Sequence, residues 1–478
     1  MVKHHGQRDL AGLAKHCKRG AEQTRDDRFG RLFPNLSPGY VAADVLQDIG
    51  APNGPMDGKA KASPTKTVPV GHVFFGQFVD HDVTLDLSSS FDEVAGEGLP
   101  NARTPTLDLD CVYGAGPDDA PFMYVQGGPF GGAKLLTGAD EPGADDLRAN
   151  DLLRAPNGRA MIGDHRNDEN RIVSQVQLGI IKFHNAMCDK IHSEQGLEGA
   201  ALFEEARRET TWHYQWGLVN DFLVDMCGGA VVQDVLSCGR QFYCPIEPFI
   251  PVEFSVAAYR FGHSMAPMKI QIQHGAPRHE LFGPVLGEGF SAVSSSDAIV
   301  DFREIFFADK NKKKKAVQRA ETLDTKLAGD LLQLPIPVVA EGERSLATRN
   351  LLRGNTFLLP GGDKIAEAMG RDEGEIEKVV HHVDQLSDGK ITEGVPLWLY
   401  ILAEAEVIGR ETSPGHFEKE EGLGPVGARI VAEVMIGLLE LDPNSYLGAN
   451  RNWVAEDAYN TIGKMLISVN SDMFAATS

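Results

Sequence analysis

The stretch Val173–Ile191, VSQVQLGIIKFHNAMCDKI, has the clearest structural period in the chain. Its apolar residues recur at steps of three and four, which places them on one face of a helix: Val173, Val176, Ile180, Phe183, Met187 and Ile191. Asp164 follows Gly163 shortly before the stretch, and we expect it to cap the start of the helix. The stretch therefore predicts a long helix with one buried face.

Two further stretches have the same character. Residues Trp398–Ile408 are almost wholly apolar, and Val426 begins a set that continues with Ile430, Val434 and Leu438. Alternating patterns typical of strands are short and scarce. We therefore expect a mainly α fold with long loops and little β. Residues 1–65 are rich in turn signals and predict an irregular N-terminal arm, whereas residues 66–478 predict one large helical domain.

The composition excludes several classes of function. The net charge of −22 counts against a nucleic-acid binder and against docking on anionic lipid. No window approaches the ~20 apolar residues of a membrane span. The N-terminus lacks the apolar core of a signal peptide, so we expect a cytoplasmic protein or one exported without a cleaved leader. The six cysteines form no CxxC or zinc pattern.

Polar residues of the types used in catalysis and cofactor binding are concentrated in four clusters. They are Gly76–Asp82 (GQFVDHD), Gly163–Asn170 (GDHRNDEN), Ala257–His263 (AAYRFGH) and Arg349–Arg353 (RNLLR). Each has an ordinary structural explanation: surface side chains, acidic residues at a helix N-terminus, a core histidine and a helix cap. Arg166 is the exception, because a cation is unfavourable at a helix N-terminus unless an anionic group faces it.

Together and in this order, with His184 and Asn185 between the second and third clusters, these motifs resemble the animal-type haem peroxidases of the peroxidase–cyclooxygenase superfamily. The resemblance implies a single helical catalytic domain that binds haem b. It implies reduction of hydrogen peroxide through a ferryl intermediate, oxidation of small donors and a part in the response to oxidative stress. The segment Glu421–Leu447 resembles the compact bacterial members. These motifs specify neither the reducing donor nor the oligomeric state.

The resemblance also implies roles for single residues. His81 corresponds to the histidine that moves the peroxide proton, Arg166 to its cationic partner and Gln77 to a residue lining the same pocket. His263 corresponds to the axial ligand of the haem iron, and Asn350 to the acceptor of a hydrogen bond from its other ring nitrogen. The residues implied to face the haem propionates are Arg260 and Arg353.

Two carboxylates correspond to residues that form ester bonds to haem methyl groups in this family, namely Asp80 and Glu169. The resemblance thus implies a haem that is ester-linked at two positions. Asn170 stands where myeloperoxidase has a methionine that forms a sulfonium link. We therefore expect bromide, iodide, thiocyanate or phenols as donors rather than chloride.

The stretch Arg103–Gly114, RTPTLDLDCVYG, resembles the calcium loop of the family. The implied ligands are Asp82, Thr104, Thr106, Asp108 and Asp110. Calcium prefers several oxygen ligands, including carboxylates, and this set supplies them. From the residues alone, the alternating aspartates are also compatible with an exposed strand or turn.

Two alternatives have other functions. Fatty-acid dioxygenases of the superfamily have a tyrosine three residues before the axial histidine, where this chain has Arg260. Its Tyr259 is one residue earlier, and one residue turns a side chain by about 100° on an α-helix, which predicts that Tyr259 points away from the site. Peroxinectin-like relatives act in cell adhesion, but this chain has no Arg-Gly-Asp motif.

Overall fold

The computed structural model describes residues 29–85, 103–307, 317–335, 339, 342–470 and 474. Most regular structure in these residues is helical, which confirms the mainly α prediction. The α-helices span Ala43–Gly50, Gly71–Val83, Asp110–Tyr113, Gly116–Asp119, Arg171–Gln195, Gly199–Gly217, Leu223–Cys227, Gly229–Cys238, Gly262–Met265, Phe302–Ile305, Leu346–Thr356, Gly362–Ala368, Glu373–Leu386, Leu397–Val407, Pro425–Leu441, Tyr446–Ala449 and Ile462–Ile467.

Shorter helical turns connect them. The 3-10 helices span Pro121–Met123, Gly138–Asp140, Arg148–Asn150, His165–Asp168, Ala258–Phe261, Ser296–Ala298 and Gly329–Leu332. The π-helical turns span Leu218–Phe222 and Glu253–Ala257. Within the described residues, no helix has both the length and the apolar character needed to cross a membrane.

The strands form four two-stranded sheets in the described chain. Phe29–Gly30 pairs in parallel with Ile250–Pro251. The antiparallel pairs are Pro64–Pro69 with Arg319–Glu321, Lys269–Ile270 with His279–Glu280, and Arg410–Ser413 with His416–Glu418. These sheets fasten loops to the helical core.

The central helix, Arg171–Gln195, contains the periodic stretch and is buried along most of its first half. Asn170 caps it, because its side-chain oxygen accepts a hydrogen bond from the backbone N–H of Val173. The prediction that Asp164 caps this helix was wrong. Asp164 instead caps the 3-10 helix His165–Asp168, where it accepts from the backbone N–H of Arg166.

The helices that contain the four motifs pack close together. The helix Gly71–Val83, called the His81 helix below, packs on the central helix and on the short helix Gly262–Met265. The π-helical turn Glu253–Ala257, which leads to that short helix, packs on Leu346–Thr356. Two buried rings of the His81 helix, Phe75 and Phe78, pack against the buried rings of Tyr214 and Phe222. Burial of each ring contributes about 1.5–3 kcal/mol.

Part of the predicted N-terminal arm is described. Residues 1–28 lie outside the described residues, as does the basic run Asn311–Lys315. Residues 29–65 are largely irregular and include one helix, Ala43–Gly50, which packs on Leu346–Thr356. Lys61 Nζ donates to the carbonyl of Ser264 (3.0 Å) and to Asp324 Oδ1 (2.7 Å). The division of the chain at residues 65 and 66 stays a prediction.

Candidate active site

His81 lies in the last turn of its helix and is almost wholly buried, with 5% of its surface exposed. Its Nδ1 is 2.7 Å from Oδ1 of Asn167, and its Nε2 is 4.0 Å from Oε1 of Glu169. Burial lowers the pKa of His81 to about 4, and the charge of Arg166 contributes to this decrease. The ring is therefore neutral at neutral pH and can accept a proton.

Arg166 is held by contacts on both sides. Its Nε donates to Oδ1 of Asp164 (3.1 Å) and its Nη2 to Oδ2 (2.8 Å). The same Nη2 donates to the backbone carbonyls of His81 (3.1 Å) and Thr84 (2.6 Å). Asp164 is the anionic group that the sequence required near this cation. The hydrogen bonds from Arg166 outweigh burial and hold the pKa of Asp164 well below its usual range.

Close backbone approach explains the glycine before Asp164. A Cβ on Gly163 would lie 2.3 Å from the carbonyl oxygen of Asp110. The backbone N–H of Asp164 donates to the carbonyl of Cys111 at 3.0 Å. The Arg166 turn is therefore packed directly on the helix Asp110–Tyr113.

Gln77 and Glu169 meet on one side of His81, as the helical spacing of Gln77 and His81 predicts. Nε2 of Gln77 donates to Oε1 of Glu169, and its Oε1 accepts from Nδ2 of Asn170 at 3.2 Å. Burial raises the pKa of Glu169 to about 7. Asp80 Oδ1 accepts from Oγ1 of Thr84 at 3.0 Å. Against the effect of burial, Asp164 raises the pKa of Arg166, and the charge of Asp80 adds to this increase.

His263 lies in the short helix Gly262–Met265, and burial lowers its pKa to about 3, with smaller contributions from the charges of Arg260 and Arg353. The amide nitrogen of Asn350 is 2.8 Å from Nδ1 of His263. Oδ1 of Asn350 is buried and has no hydrogen-bond partner among the described residues. A rotation of the amide by 180° exchanges the positions of its oxygen and nitrogen. Oδ1 would then accept from Nδ1–H and leave the lone pair on Nε2.

This arrangement fits an axial haem ligand. Iron requires a neutral imidazole with a free lone pair, and the other ring nitrogen ordinarily donates to an acceptor. The low pKa of His263 supplies the neutral ring, and the rotated Asn350 amide supplies the acceptor. The Nε of Arg260 donates to the carbonyl of Ser255 at 3.0 Å.

The Tyr259 hydroxyl faces Gly76 of the His81 helix, and the expectation that Tyr259 points away from the site stays a prediction. A Cβ on Gly76 would lie 3.9 Å from the Tyr259 hydroxyl. The ring stacks on Phe254, with centroids 4.8 Å apart. The rotation of about 100° per residue holds for an α-helix, whereas Tyr259 lies in the 3-10 helix Ala258–Phe261 that follows a π-helical turn.

The predicted calcium ligands are of two kinds, the aspartates around Asp82 and the hydroxyls of Thr104 and Thr106. Asp82 is fully buried, and burial together with the charges of Asp108 and Asp110 raises its pKa to about 8. Oδ2 of Asp82 accepts from the backbone N–H of Leu109 (3.3 Å), while Oδ1 has no hydrogen-bond partner among the described residues. Thr104 and Thr106 are within hydrogen-bond distance of each other, Oγ1 to Oγ1 2.9 Å. The charges of Asp108 and Asp110 act on a buried carboxylate, Asp82, and calcium binding at this position stays a prediction.

His184 and Asn185 have structural contacts. The ring nitrogens of His184 contact the hydroxyl of Tyr113 (3.1 Å) and the carbonyl of Ala133 (2.9 Å). The amide of Asn185 bonds both backbone groups of Leu135. These residues hold the loop before the central helix against that helix.

Sequence reasoning missed Asn167, the hydrogen-bond partner of His81. It lies inside the second motif, but its partner is 86 residues away in the chain. No local pattern links the two positions. The only signal in the sequence was that Asn167 is an uncharged amide among charged residues.

Comparison with known proteins decides the family. Residues 96–361 match the family model of the animal haem peroxidases. The chain belongs to the animal haem peroxidases. The match includes Arg166, His263 and Asn350, while the His81 helix precedes it.

Relatives of this animal haem peroxidase differ in length. Dual oxidase 1 of Caenorhabditis elegans is 27% identical over 199 residues, which are 37% of this chain and 13% of that protein. A peroxidase-like protein of Margaritifera margaritifera is 25% identical over 319 residues, 52% of this chain and 38% of that protein. Chorion peroxidase of Drosophila melanogaster is 27% identical over 187 residues, 36% of this chain and 22% of that protein. The matched segments thus span less than two fifths of these relatives.

Solved structures confirm the fold. Peroxidase A from Dictyostelium discoideum has a TM-score of 0.62 and 14% identity, with 94% of each chain covered. A fatty acid alpha-dioxygenase of Arabidopsis thaliana has a TM-score of 0.58 and 17% identity, with 95% of this chain and 78% of that chain covered. At these identities the similarity concerns the fold alone.

Proposed function

We propose that this animal haem peroxidase binds haem b and reduces hydrogen peroxide, with His81 as the general acid–base residue. The observation that carries the proposal is the pairing of His81 with Arg166. The buried imidazole of His81 is neutral. Nη2 of Arg166 donates a hydrogen bond to the backbone carbonyl of His81 at 3.1 Å, which places a positive charge next to it. A base next to a fixed positive charge suits the transfer of a proton from peroxide and its return to the departing oxygen.

In this proposal, His263 would hold the haem iron through Nε2, with Asn350 accepting from Nδ1–H. The haem, when bound, supplies the redox chemistry. Arg260 and Arg353 would face its propionates, since both charges act on His263. Asp80 and Glu169 would form the ester links to haem methyl groups. Gln77, bonded to Glu169, would line the peroxide pocket.

The donors we propose are phenols, bromide, iodide or thiocyanate. Asn170 counts against chloride, since it is an amide where a sulfonium link needs a methionine; its side chain instead bonds Gln77 and caps the central helix. It thus contributes no sulfur for a sulfonium link. We also propose a calcium ion bound by Asp82, Asp108, Asp110 and the hydroxyls of Thr104 and Thr106. The high pKa of Asp82 supports a cation at this position.

The test is optical. Haem-loaded protein is mixed with one equivalent of hydrogen peroxide, and the Soret band is followed before and after a phenol or iodide is added. We expect a rapid spectral change and a return on adding the donor. In His81→Gln the rate constant should fall about 10²- to 10⁴-fold. His165→Gln is the matched control, because His165 is exposed on the neighbouring turn and should retain the rate.

Fatty-acid dioxygenation is the alternative, and it is tested by measuring oxygen uptake alongside the optical experiment. Oxygen uptake with a fatty acid, together with a slow reaction with peroxide, would replace the peroxidase proposal. The fold is shared with a fatty acid alpha-dioxygenase, and the Tyr259 hydroxyl is buried near the His81 helix. Against a dioxygenase, Arg260 occupies the position three residues before His263, and the peroxide-facing set of His81, Arg166 and Gln77 is complete.

A further inference from the structure

A chain of three hydrogen bonds runs from His81 to a backbone carbonyl. Nδ1 of His81 is 2.7 Å from Oδ1 of Asn167, and Nδ2 of Asn167 donates to Oε1 of Gln177 at 2.9 Å. Nε2 of Gln177 donates to the carbonyl of Cys111 at 3.4 Å. All four residues are buried, with Asn167, Gln177 and Cys111 at 0% exposure. Water therefore does not compete for these contacts.

The carbonyl at the end fixes the direction of every bond in the chain. A backbone oxygen only accepts, so Gln177 must present its NH₂ group to Cys111 and its Oε1 to Asn167. Asn167 must then present its NH₂ group to Gln177 and its Oδ1 to His81. Because Oδ1 of Asn167 only accepts, Nδ1 of His81 must donate to it and therefore has the proton. This reasoning needs no assumption about how either amide is oriented.

A neutral imidazole has one N–H, so a proton on Nδ1 leaves the lone pair on Nε2. We propose that Asn167 and Gln177 are positioning residues that hold His81 in the Nδ1–H tautomer, with Nε2 as the base that faces hydrogen peroxide. The tautomer follows from the contacts above, while its use toward peroxide rests on the proposed function. In the other tautomer Nε2 would have the proton, and His81 could not accept one from peroxide.

The carbonyl of Cys111, at which these hydrogen bonds end, also contacts the turn that contains Arg166. Cys111 belongs to the helix Asp110–Tyr113, which lies within the proposed calcium loop Arg103–Gly114. The same carbonyl also accepts from the backbone N–H of Asp164, the residue that holds Arg166. One backbone group therefore sets both the tautomer of His81 and the position of the turn that contains Arg166.

The decisive measurement is made on haem-free protein at pH 7. Histidine labelled with ¹⁵N at Nδ1 alone is incorporated, and the His81 signal is identified by its loss in His81→Gln. Protonated and unprotonated ring nitrogens give separate signals in solid-state ¹⁵N NMR. We expect a protonated Nδ1 in the wild type and in Asn167→Asp, which keeps an acceptor. Asn167→Leu and Gln177→Met should show an unprotonated fraction.

Kinetics of the haem-loaded protein give the second readout. The rate constant with peroxide should fall about 10- to 100-fold in Asn167→Leu, less than the loss of about 10²- to 10⁴-fold expected when the base itself is removed, and less still in Gln177→Met. Asn167→Asp should restore most of the rate and move its acid limb to higher pH, because a carboxylate favours the protonated ring. The rate constant of the separate step with the donor should stay unchanged in all three.

Gln175→Met is the matched control, because Gln175 is a buried glutamine on the same helix that bonds the carbonyl of Asn150 at 2.8 Å. It should lower the thermal stability without changing the His81 signal. An unprotonated Nδ1 in the wild type, or an unchanged signal in both Asn167→Leu and Gln177→Met, overturns the inference. A protonated Nδ1 without any reaction with peroxide would overturn the proposed function alone. If Asn167→Leu does not fold, Gln177→Met and Asn167→Asp still decide.

Discussion

The side-chain amide of Asn350 lies 2.8 Å from Nδ1 of His263, and its buried Oδ1 has no hydrogen-bond partner among the described residues. If Oδ1 accepts from Nδ1–H, it increases the negative character of the ring and stabilises ferric over ferrous haem. Asn350→Leu should therefore raise the reduction potential by about 60–120 mV, the one-electron equivalent of a 10- to 100-fold effect. Asn350→Asp should lower it.

Spectroelectrochemical titration of the haem-loaded protein measures both shifts. Asn355→Leu is the matched control, because Asn355 lies on the same helix and bonds the backbone of Val41. Its potential should equal that of the wild type. Equal potentials in Asn350→Leu, Asn350→Asp and the wild type would show that the amide does not bond an iron ligand.

The contacts of Arg166 predict that a lysine cannot replace it. The guanidinium bonds Asp164 through two nitrogens and reaches the carbonyls of His81 and Thr84. A single ammonium group keeps the charge but loses this planar geometry. We expect Arg166→Lys to lower the rate constant with peroxide about 10²- to 10³-fold, as for removal of a fixed donor. Stopped-flow spectroscopy checks this, with exposed Arg159→Lys as the control. A rate near that of the wild type in Arg166→Lys would mean that charge alone suffices.

A buried histidine at the start of the His81 helix predicts a loss of stability at alkaline pH. Nδ1 of His72 is 3.2 Å from Oδ2 of Asp225, and Nε2 is 3.5 Å from Oδ2 of Asp221. Burial alone would lower the pKa of His72, but the two carboxylates outweigh it and raise the pKa from 6.5 to about 9. The stabilisation, about 3 kcal/mol, is complete below pH 6.5 and is lost as the pH rises through 9.

Thermal unfolding between pH 6 and pH 10 tests the role of His72. The Tm of the wild type should fall more steeply above pH 7 than that of His72→Gln, which has no proton to lose. His274→Gln serves as the control, because His274 pairs with Glu304 but is 70% exposed. Parallel curves for the wild type and His72→Gln would show that the ring is not protonated in the folded protein.

The sequence predicted the elements whose apolar period is regular. Trp398–Ile408 corresponds to the helix Leu397–Val407, and the set that begins at Val426 lies within Pro425–Leu441. The error at Asp164 arose because two capping residues, Asp164 and Asn170, lie six positions apart with a 3-10 turn between them. Apolar spacing does not distinguish which of two such residues begins the long helix.

The site was predicted as a list of residues but not as a set of contacts. Resemblance singled out His81 and Arg166, whereas Asn167 and Gln177 became visible only when the fold brought the central helix against the His81 helix. The irregular helical geometry before His263 was not predicted either. The π-helical turn Glu253–Ala257 and the 3-10 helix Ala258–Phe261 replace the α-helix expected there, and no residue in them signals this change.

The aspartates near His81 predict that calcium stabilises the protein more as the pH rises. Without a cation, burial and the charges of Asp108 and Asp110 raise the pKa of Asp82 from 3.8 to about 8. The folded state therefore disfavours ionised Asp82, and stability from this group is lost as the pH rises through 8. A bound cation reverses this dependence of stability on pH, because its carboxylate ligands must be deprotonated. Below pH 8, protons compete with calcium for the site.

Calcium should therefore raise the Tm of chelator-treated protein more at pH 9 than at pH 6, with a stabilisation of about 2.7 kcal/mol at a calcium concentration 100 times the Kd. Differential scanning calorimetry across this pH range measures the increment. Magnesium should give a smaller one, since it demands a tighter octahedral shell and releases its water reluctantly. Asp108→Asn removes one charge next to Asp82 and should reduce the increment at both pH values. An increment that is the same at pH 6 and pH 9, or unchanged in Asp108→Asn, would mean that calcium binds elsewhere and that the buried carboxyl of Asp82 is neutralised by its proton alone.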